Sequence, residues 1–211
     1  EDNLKPMFPD ELWKVKFTLQ KMVIKGSTLY SKRRFSKLFR KYMRKKISLG
    51  HIYGIAQTIT NMYRNDGYIL SKAVVPPQQI EGGIIRIDVI EGFIDKVNIE
   101  GDVAGPRKLL NRYRKKLLKS KPLLAKDLER YLLLVDDLPG LKVKSVLTPS
   151  EFKVGATDLT LILANKKYDL GMGVNNRGSK FNGPYQLSGN ASTNSLLGLY
   201  ERIGIQGVVT K

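Results

Sequence analysis

The chain contains no cysteine, and this absence removes several kinds of chemistry at once. Without cysteine there is no disulfide, no thiolate nucleophile and no cysteine-ligated metal site. A single histidine, His51, leaves little material for a histidine metal site or a Ser-His-Asp triad. No apolar run approaches the roughly 18 residues of a membrane-spanning helix. Glu1 to Pro6 have neither the charged start nor the apolar run of a signal peptide. We expect no enzyme, no cofactor and no bound metal.

Acidic residues are also scarce: 19 of them stand against 37 lysines and arginines, which leaves a net charge of +18. Two windows without any acidic residue, 32–46 and 107–121, hold 17 of the basic side chains. Apolar residues recur at helical spacing in both windows, so we predict two amphipathic helices with basic outer faces. On the first of these faces, Lys37, Lys41 and Arg44 could meet anionic lipid headgroups or acidic segments of a partner.

The positive charge also raises the alternative of a nucleic-acid-binding protein. Against it, the aromatic residues Phe35, Phe39 and Tyr42 fall on the apolar face of the first window and not among the basic residues. No DNA- or RNA-binding motif is present. Binding to any duplex with a steep dependence on salt would support this alternative.

A pattern repeats once along the chain, with Gly26 and Gly101 at equivalent positions 75 residues apart. Each copy has apolar and polar patterns for a strand, two helices and two further strands. The last two strands of each copy are predicted at Tyr68–Val75 and Ile84–Ile90, then at Leu141–Leu147 and Asp158–Ala164. We therefore predict an α+β chain with two tandem units of the order strand-helix-helix-strand-strand, whose sheet edges stay open unless something pairs with them.

From Tyr168 onward the helical spacing gives way to an alternation of apolar residues with polar residues or glycine. Three alternating segments of roughly ten residues are separated by turn-rich pieces at 175–179 and 194–198. Strands of ~9–11 residues with this period are typical of transmembrane β-barrels. A soluble antiparallel sheet with one wet face is the alternative. Since a closed single-chain barrel needs at least ~8 strands, we expect only the first three here.

The residues of the first repeat resemble, in order, the first POTRA (polypeptide-transport-associated) domain of two-partner secretion transporters. These transporters are outer-membrane pores that export filamentous adhesins and haemolysins. The matching segments of the first domain are Gly67–Ala73, Pro76–Ile80, Gly83–Ile87 and Val89–Gly92. The second repeat is similar to the second POTRA domain. The segments that resemble the first barrel hairpins are Asn175–Ser179, Gly183–Gln186 and Leu196–Leu199.

The resemblance divides the chain into four parts. They are an N-terminal segment at 1–16, POTRA domains at 17–92 and 93–166, and three strands of an incomplete outer-membrane β-barrel at 167–211. It implies a Gram-negative outer-membrane location with the POTRA domains in the periplasm. The implied partners are the N-terminal secretion domain of a secreted exoprotein and outer-membrane lipid, with no nucleic acid. The exposed apolar sides of the last strands also predict self-association.

We expect the client chain to add as a strand to the open edge of the first POTRA sheet. The predicted edge and the groove beside it comprise Ile55, Ile59, Tyr68, Ile69, Leu70, Ser71, Lys72, Ala73 and Val74. The alternative for Ile55 and Ile59 is that they are ordinary core residues. Barrel assembly and cell division also use POTRA scaffolds, but the Pro76-Pro77-Gln78 pattern favours secretion.

Overall fold

The computed structural model describes residues 9–103, 105–179, 181 and 183–211, so that residues 1–8 of the predicted N-terminal segment lie outside the described residues. The helices are α1 Glu11–Lys14, α2 Lys32–Phe39, α3 Leu49–Asn65, α4 Arg107–Lys119 and α5 Ala125–Asp136. The strands are β1 Lys16–Thr18, β2 Lys21–Lys25, β3 Lys46–Ser48, β4 Lys72–Val74, β5 Ile84–Ile90, β6 Phe93–Gly101, β7 Leu141–Pro149, β8 Ala156–Asn165, β9 Tyr168–Asn175, β10 Gln186–Asn194 and β11 Arg202–Thr210.

The strands form three three-stranded sheets and one two-stranded ribbon. The orders are β2-β5-β4, β6-β8-β7 and β11-β10-β9, with β1 paired to β3. The first two sheets share one plan, in which the last strand of the repeat lies between its first strand and its middle strand. The predicted succession of strand, helix, helix, strand and strand is therefore confirmed in both repeats, and so are three alternating strands after them.

Helix α3 shows how the sequence builds the core of the first sheet. Ile52, Ile59 and Tyr63 recur at helical spacing and are 0% exposed. Ser48 caps the start of the helix as one half of a capping box. As the other half, His51 Nδ1 accepts a hydrogen bond from the Ser48 backbone amide at 3.3 Å. The chain leaves the helix at Gly67, whose φ of +90° few residues other than glycine adopt.

The first sheet buries its apolar side against α2 and α3. Ile85 and Ile87 of the central strand are 0% exposed, and Phe35 of α2 belongs to the same core cluster. Full burial of one such large apolar side chain contributes about 1.5–3 kcal/mol. The helices of the first repeat are therefore held mainly by this packing, since isolated helices of this length are marginal in water.

The first basic window is not one helix, and this part of the prediction is wrong. Helix α2 ends at Phe39, a 3-10 turn covers Arg40–Tyr42, and Arg44 has a φ of +59°. The chain turns here because the following residues pair with the segment before β2: the Arg44 amide donates to the Leu19 carbonyl at 2.7 Å. In the sequence, apolar residues keep a helical spacing beyond Phe39, but in the structure the chain there turns to pair with β1.

Two compact units emerge from the contacts between residues. One runs to residue 95 and includes 118–128 and 149–157, while the other comprises 96–117, 129–148 and 158–211. The units share the chain differently from the predicted boundaries after 92 and 166, so that division stays a prediction. Among the described residues, no helix is both long enough and apolar enough to cross a membrane.

Candidate functional site

The strand predicted at 68–75 is shorter in the structure, where β4 covers only Lys72–Val74. The Tyr68 amide donates to the Tyr63 carbonyl at 2.9 Å, and the Ser71 amide donates to the Tyr68 carbonyl at 3.0 Å. These bonds turn the chain back toward the end of α3 before it can extend. Tyr68, Ile69, Leu70 and Ser71 therefore form a turn beside the edge and are not part of the edge strand itself.

Strand β4 is an edge strand, as predicted, but its outward amide already has a partner. Lys72, Ala73 and Val74 lie opposite Ile90, Val89 and Asp88 of the antiparallel strand β5. The Ala73 amide donates to Thr60 Oγ1 of α3 at 2.9 Å. Because hydrogen-bonded and non-hydrogen-bonded pairs alternate, the ladder bonds to β5 fall to the residues on either side of Ala73. A strand added at β4 would meet an amide that Thr60 has engaged.

The two isoleucines of the predicted groove lie in the core. Ile55 is 4% exposed and Ile59 is 0% exposed, and both belong to the cluster beneath the first sheet. Ile69, by contrast, is 44% exposed on the turn before β4. Exposure therefore distinguishes the members of the predicted site, and client binding by them stays a prediction.

The Glu91 carboxylate accepts hydrogen bonds from Tyr63 of α3 and from the loop after β2, which is more than 60 residues earlier in the chain. The Tyr63 hydroxyl donates to it at 2.7 Å, the Thr28 amide at 2.8 Å and the Leu29 amide at 3.2 Å. Burial alone would raise the pKa of the Glu91 carboxyl, but a further bond from the Thr28 hydroxyl, together with these three, holds it below its ordinary value of 4.5. Burial also raises the pKa of the Tyr63 hydroxyl, which keeps it a donor. The carboxylate thus fixes the loop after β2 to the end of β5.

Gly92, the residue after Glu91, lies against the turn at 68–71. A Cβ on Gly92 would collide with the backbone and the Cβ of Leu70. The Gly92 amide donates to Ser71 Oγ at 3.1 Å, and Ser71 is 1% exposed. The turn at 68–71 therefore packs directly on Glu91 and Gly92. This contact explains why the segments Gly67–Ala73 and Val89–Gly92 occur together in the family resemblance.

The predicted basic residues are exposed but lie on three different local structures. Lys37 is on α2, Lys41 is in the 3-10 turn with its ammonium 4.8 Å from the centre of the Tyr42 ring, and Arg44 is in the turn that follows. They do not share one helical face, which corrects the prediction. Their charges still lie along one short exposed segment.

The opposite edge of the first sheet, at β2, was missed by the sequence analysis. Between β2 and α2 there is a groove of about 200 Å³, lined by Met22, Ile24, Phe35 and Phe39 with Lys21, Val23 and Lys32. The available signal was the repeat plan itself, because the first strand of such a unit becomes an edge once the last strand takes the centre. The position of β4 directly after α3 predicts only the other edge.

Strands β9, β10 and β11 form an antiparallel meander whose apolar residues coincide across the register. Leu170, Ala191 and Ile205 lie side by side, and so do Val174, Leu187 and Val209. Leu170 is 83% exposed and Ile205 is 78% exposed. This sheet therefore presents one continuous apolar side that none of the described residues covers as a layer, and strands that face lipid have this arrangement.

Polar contacts join the meander to the preceding segment within the second unit. The Asn194 side-chain amide donates to the Lys166 carbonyl at 3.0 Å and to the Asp169 carboxylate at 2.9 Å. Ser195 Oγ donates to the Pro139 carbonyl at 3.1 Å. The turn between β10 and β11 is thereby attached to the second repeat, and Asn194 is 4% exposed at that junction.

Comparison with known proteins gives these features a family context. Residues 17–92 match the family model described as POTRA domain, ShlB-type. The heme/hemopexin transporter protein HuxB of Haemophilus influenzae (strain 86-028NP) is 29% identical over 163 residues, which are 76% of this chain and 29% of HuxB. The outer membrane transporter CdiB of Escherichia coli O6:K15:H31 (strain 536 / UPEC) is 24% identical over 191 residues, covering 90% of this chain and 32% of CdiB.

A solved structure supports the same likeness. The structure of CdiB from Escherichia coli aligns with a TM-score of 0.69 at 25% identity, covering 92% of this chain and 36% of that one. The chain spans less than a third of the length of the curated relatives it matches. The class that fold and comparisons define is that of POTRA units followed by barrel-type strands. The resemblance to the two-partner secretion transporters is confirmed, and relatives named as transporters do not favour the barrel-assembly alternative.

Proposed function

We propose that this chain is the recognition and delivery part of an outer-membrane pore that secretes a large partner exoprotein. In this proposal residues 17–92 and 93–166 are POTRA domains in the periplasm, and 167–211 begin the barrel. The observation that supports it best is the first sheet, whose edge strands β2 and β4 pair only with β5 among the described residues. Such an edge can hold an extended client through main-chain hydrogen bonds that tolerate many sequences. No residue needs a chemical role in this scheme.

At the β4 edge, the client would lie along Lys72, Ala73 and Val74, with Ile69 as the exposed apolar contact. Thr60 limits this pairing, because its hydroxyl accepts the hydrogen bond of the Ala73 amide, which would otherwise be available to the client. Replacement of Thr60 by valine removes that acceptor and leaves the Ala73 amide free. We therefore expect Thr60→Val to bind the client more tightly, provided that strand addition takes place at β4.

The experiment places a photo-crosslinking residue at Ile69 or at Lys72 in the full chain in detergent. The probe is a purified N-terminal secretion domain of an adhesin- or haemolysin-type exoprotein. We expect crosslinks at both positions, and none from a matched control at the exposed Thr58 of α3. Absence of any binding to the secretion domain would contradict the proposed function, while binding without crosslinks at 69 and 72 would contradict only the β4 edge.

Lys37, Lys41 and Arg44 are the proposed contacts to anionic lipid headgroups. A basic residue near a charged membrane surface contributes roughly 1 kcal/mol. Reversal of all three charges should weaken sedimentation with phosphatidylglycerol vesicles at low salt, whereas reversal of the exposed Lys126, Lys142 and Lys144 controls for the change in net charge. Equal binding of both variants would reduce the basic segment to a solvated surface.

A further inference from the structure

The edge of the first sheet at β2 differs from the edge at β4 in the state of its backbone. Strand β2 runs parallel to β5, with Lys21 beside Ile84 and Ile24 beside Ile87. The Lys21 amide donates to the Gly83 carbonyl at 3.3 Å, while the Ile84 amide donates to Glu81. In a parallel ladder only every second residue bonds to its neighbour. The amides and carbonyls of Met22 and Ile24 therefore point away from β5, toward the open side.

Side chains beside this edge would sort the residues of an added strand by face. Met22 and Ile24 point toward the helices, where Phe35 and Phe39 complete the apolar floor of the groove. Lys21 and Lys25 alternate with them and point toward the other face, where both are exposed. An added strand would thus place every second residue in an apolar groove and the intervening residues beside lysines.

The charges around the groove have one dominant sign. Lys32 lines its mouth, and Lys21 and Lys25 border the strand. The carboxylate nearest in register, Asp88 opposite Lys25, is bound by Arg86 at 3.1 Å. Opposite charges on directly opposed strand positions are favourable, and like charges are not. The groove therefore favours acidic residues at the positions that alternate with apolar ones.

We propose that the β2 edge binds an extended segment in which apolar and acidic residues alternate, as a fourth strand beside β2. The inference rests on the proposed function, because an unfolded secretion client is the chain that would supply such a segment. Two features favour β2 over β4: among the residues that the structure describes, no side chain bonds to its outward amides, and its groove is open. At β4 the outward amide is engaged by Thr60, and Pro76 and Pro77 follow the strand closely.

The test uses the full chain in detergent and a labelled peptide of about six residues that alternates valine with glutamate. A peptide with lysine in place of glutamate tests the charge, and a backbone N-methylated peptide tests the hydrogen bonds. We expect the glutamate peptide to bind about tenfold more tightly than the lysine peptide, and the N-methylated peptide to bind at least as weakly. Amide hydrogen exchange at Met22 and Ile24 should slow only with the glutamate peptide.

Charge-reversal variants separate this edge from general attraction. Lys21→Glu with Lys25→Glu should invert the preference, so that the lysine peptide binds more tightly. The matched control, Lys16→Glu with Lys46→Glu on the β1–β3 ribbon, changes the net charge equally and should keep the original preference. Inversion by both variants, or equal binding of the N-methylated peptide, would overturn the inference.

The failure of this inference can be distinguished from failure of the proposed function. Crosslinking of the secretion domain at β4, without protection at Met22 and Ile24, would keep the function and reject the β2 edge. Protection by the peptide in a chain that does not bind the secretion domain would keep the edge and reject the function.

Discussion

The first sheet and the final meander each contain three strands with alternating apolar residues, yet they treat their apolar sides in opposite ways. Ile85 and Ile87 of the first sheet are 0% exposed beneath α2 and α3. Met172 of the meander is 86% exposed. The difference teaches that alternation identifies the two sides of a sheet but not what covers them. Helices in the first repeat supply a protein cover, whereas the meander requires an apolar surrounding such as lipid or another copy.

The largest expected difference between the two sheets is in the cost of losing an apolar side chain. Ile59→Ala should lower the free energy of unfolding of the first unit by about 2–5 kcal/mol, because it leaves a cavity beneath the sheet. Ile205→Ala should change the stability of the meander by no more than about 0.5 kcal/mol, as measured by amide hydrogen exchange along β10. Denaturant titrations followed by Trp13 fluorescence report on the first unit. Equal losses for the two variants would break the comparison.

The next effect concerns the polar group that closes the β4 edge. Thr60→Val should destabilise the first unit by about 1–3 kcal/mol, since the Ala73 amide loses its acceptor. Thr58→Val is the matched control, because Thr58 is exposed on the same helix and its hydroxyl donates to the Gly54 carbonyl of that helix. We expect the control to stay within about 0.5 kcal/mol of the parent. An equal loss in the control would mean that helix propensity, and not the edge, causes the effect.

Glu91 gives the stability of the first unit a dependence on pH. The folded pKa of this carboxyl is lowered below 4.5, so its stabilisation is complete above 4.5 and is lost as the pH falls through the folded pKa. Glu91→Gln should cost about 1–2 kcal/mol at neutral pH. The difference from the parent should shrink as the pH is lowered below 4.5. Urea midpoints across this range test it, and a constant difference would show that the carboxylate charge is not involved.

The smallest effect on stability is expected in the meander, where the consequence is association. Ile205→Ser should leave the unfolding free energy within about 0.5 kcal/mol of the parent. It should nevertheless reduce self-association when detergent is diluted, because it interrupts the continuous apolar side. Gln206→Ser, at the neighbouring position on the opposite side, is the control. Sedimentation velocity distinguishes them, and a parent chain that stays monomeric without detergent would remove the need for an apolar cover.

The elements that could be predicted from sequence are those set by local periodicity. The buried face of α3, the central strand at Ile84–Ile90 and the three alternating strands after Tyr168 all follow from spacing alone. The helix predicted in the first basic window is too long because the helical spacing of apolar residues continues beyond Phe39, where α2 ends. In the structure, pairing with the segment before β2 turns the chain at Arg44. The strand predicted at 68–75 is too long because its β-branched and aromatic residues favour a strand. In the structure the Tyr68 amide instead donates to the Tyr63 carbonyl, and the chain turns.

The candidate site depends on contacts that no local pattern contains. The bonds of Glu91 to Thr28 and Leu29 join residues more than 60 positions apart. Likewise, only the tertiary structure shows that Thr60 faces the Ala73 amide and that Phe39 borders the β2 edge. The sequence identified an open sheet, but which edge is engaged by its own helix is decided by packing between distant segments.

The parallel pairing of β2 with β5 also imposes an order on folding. Neither β2 nor β4 pairs with the other, and each reaches the sheet only through β5. The contacts between β2 and β5 form slowly, because the long loop between these strands must close before their hydrogen bonds and packing can offset the entropy that closure costs. A chain that emerges N-terminus first can therefore make helices early but no ladder in this sheet until residue 84 has appeared. The first repeat would fold as a single late event, triggered by the arrival of its central strand.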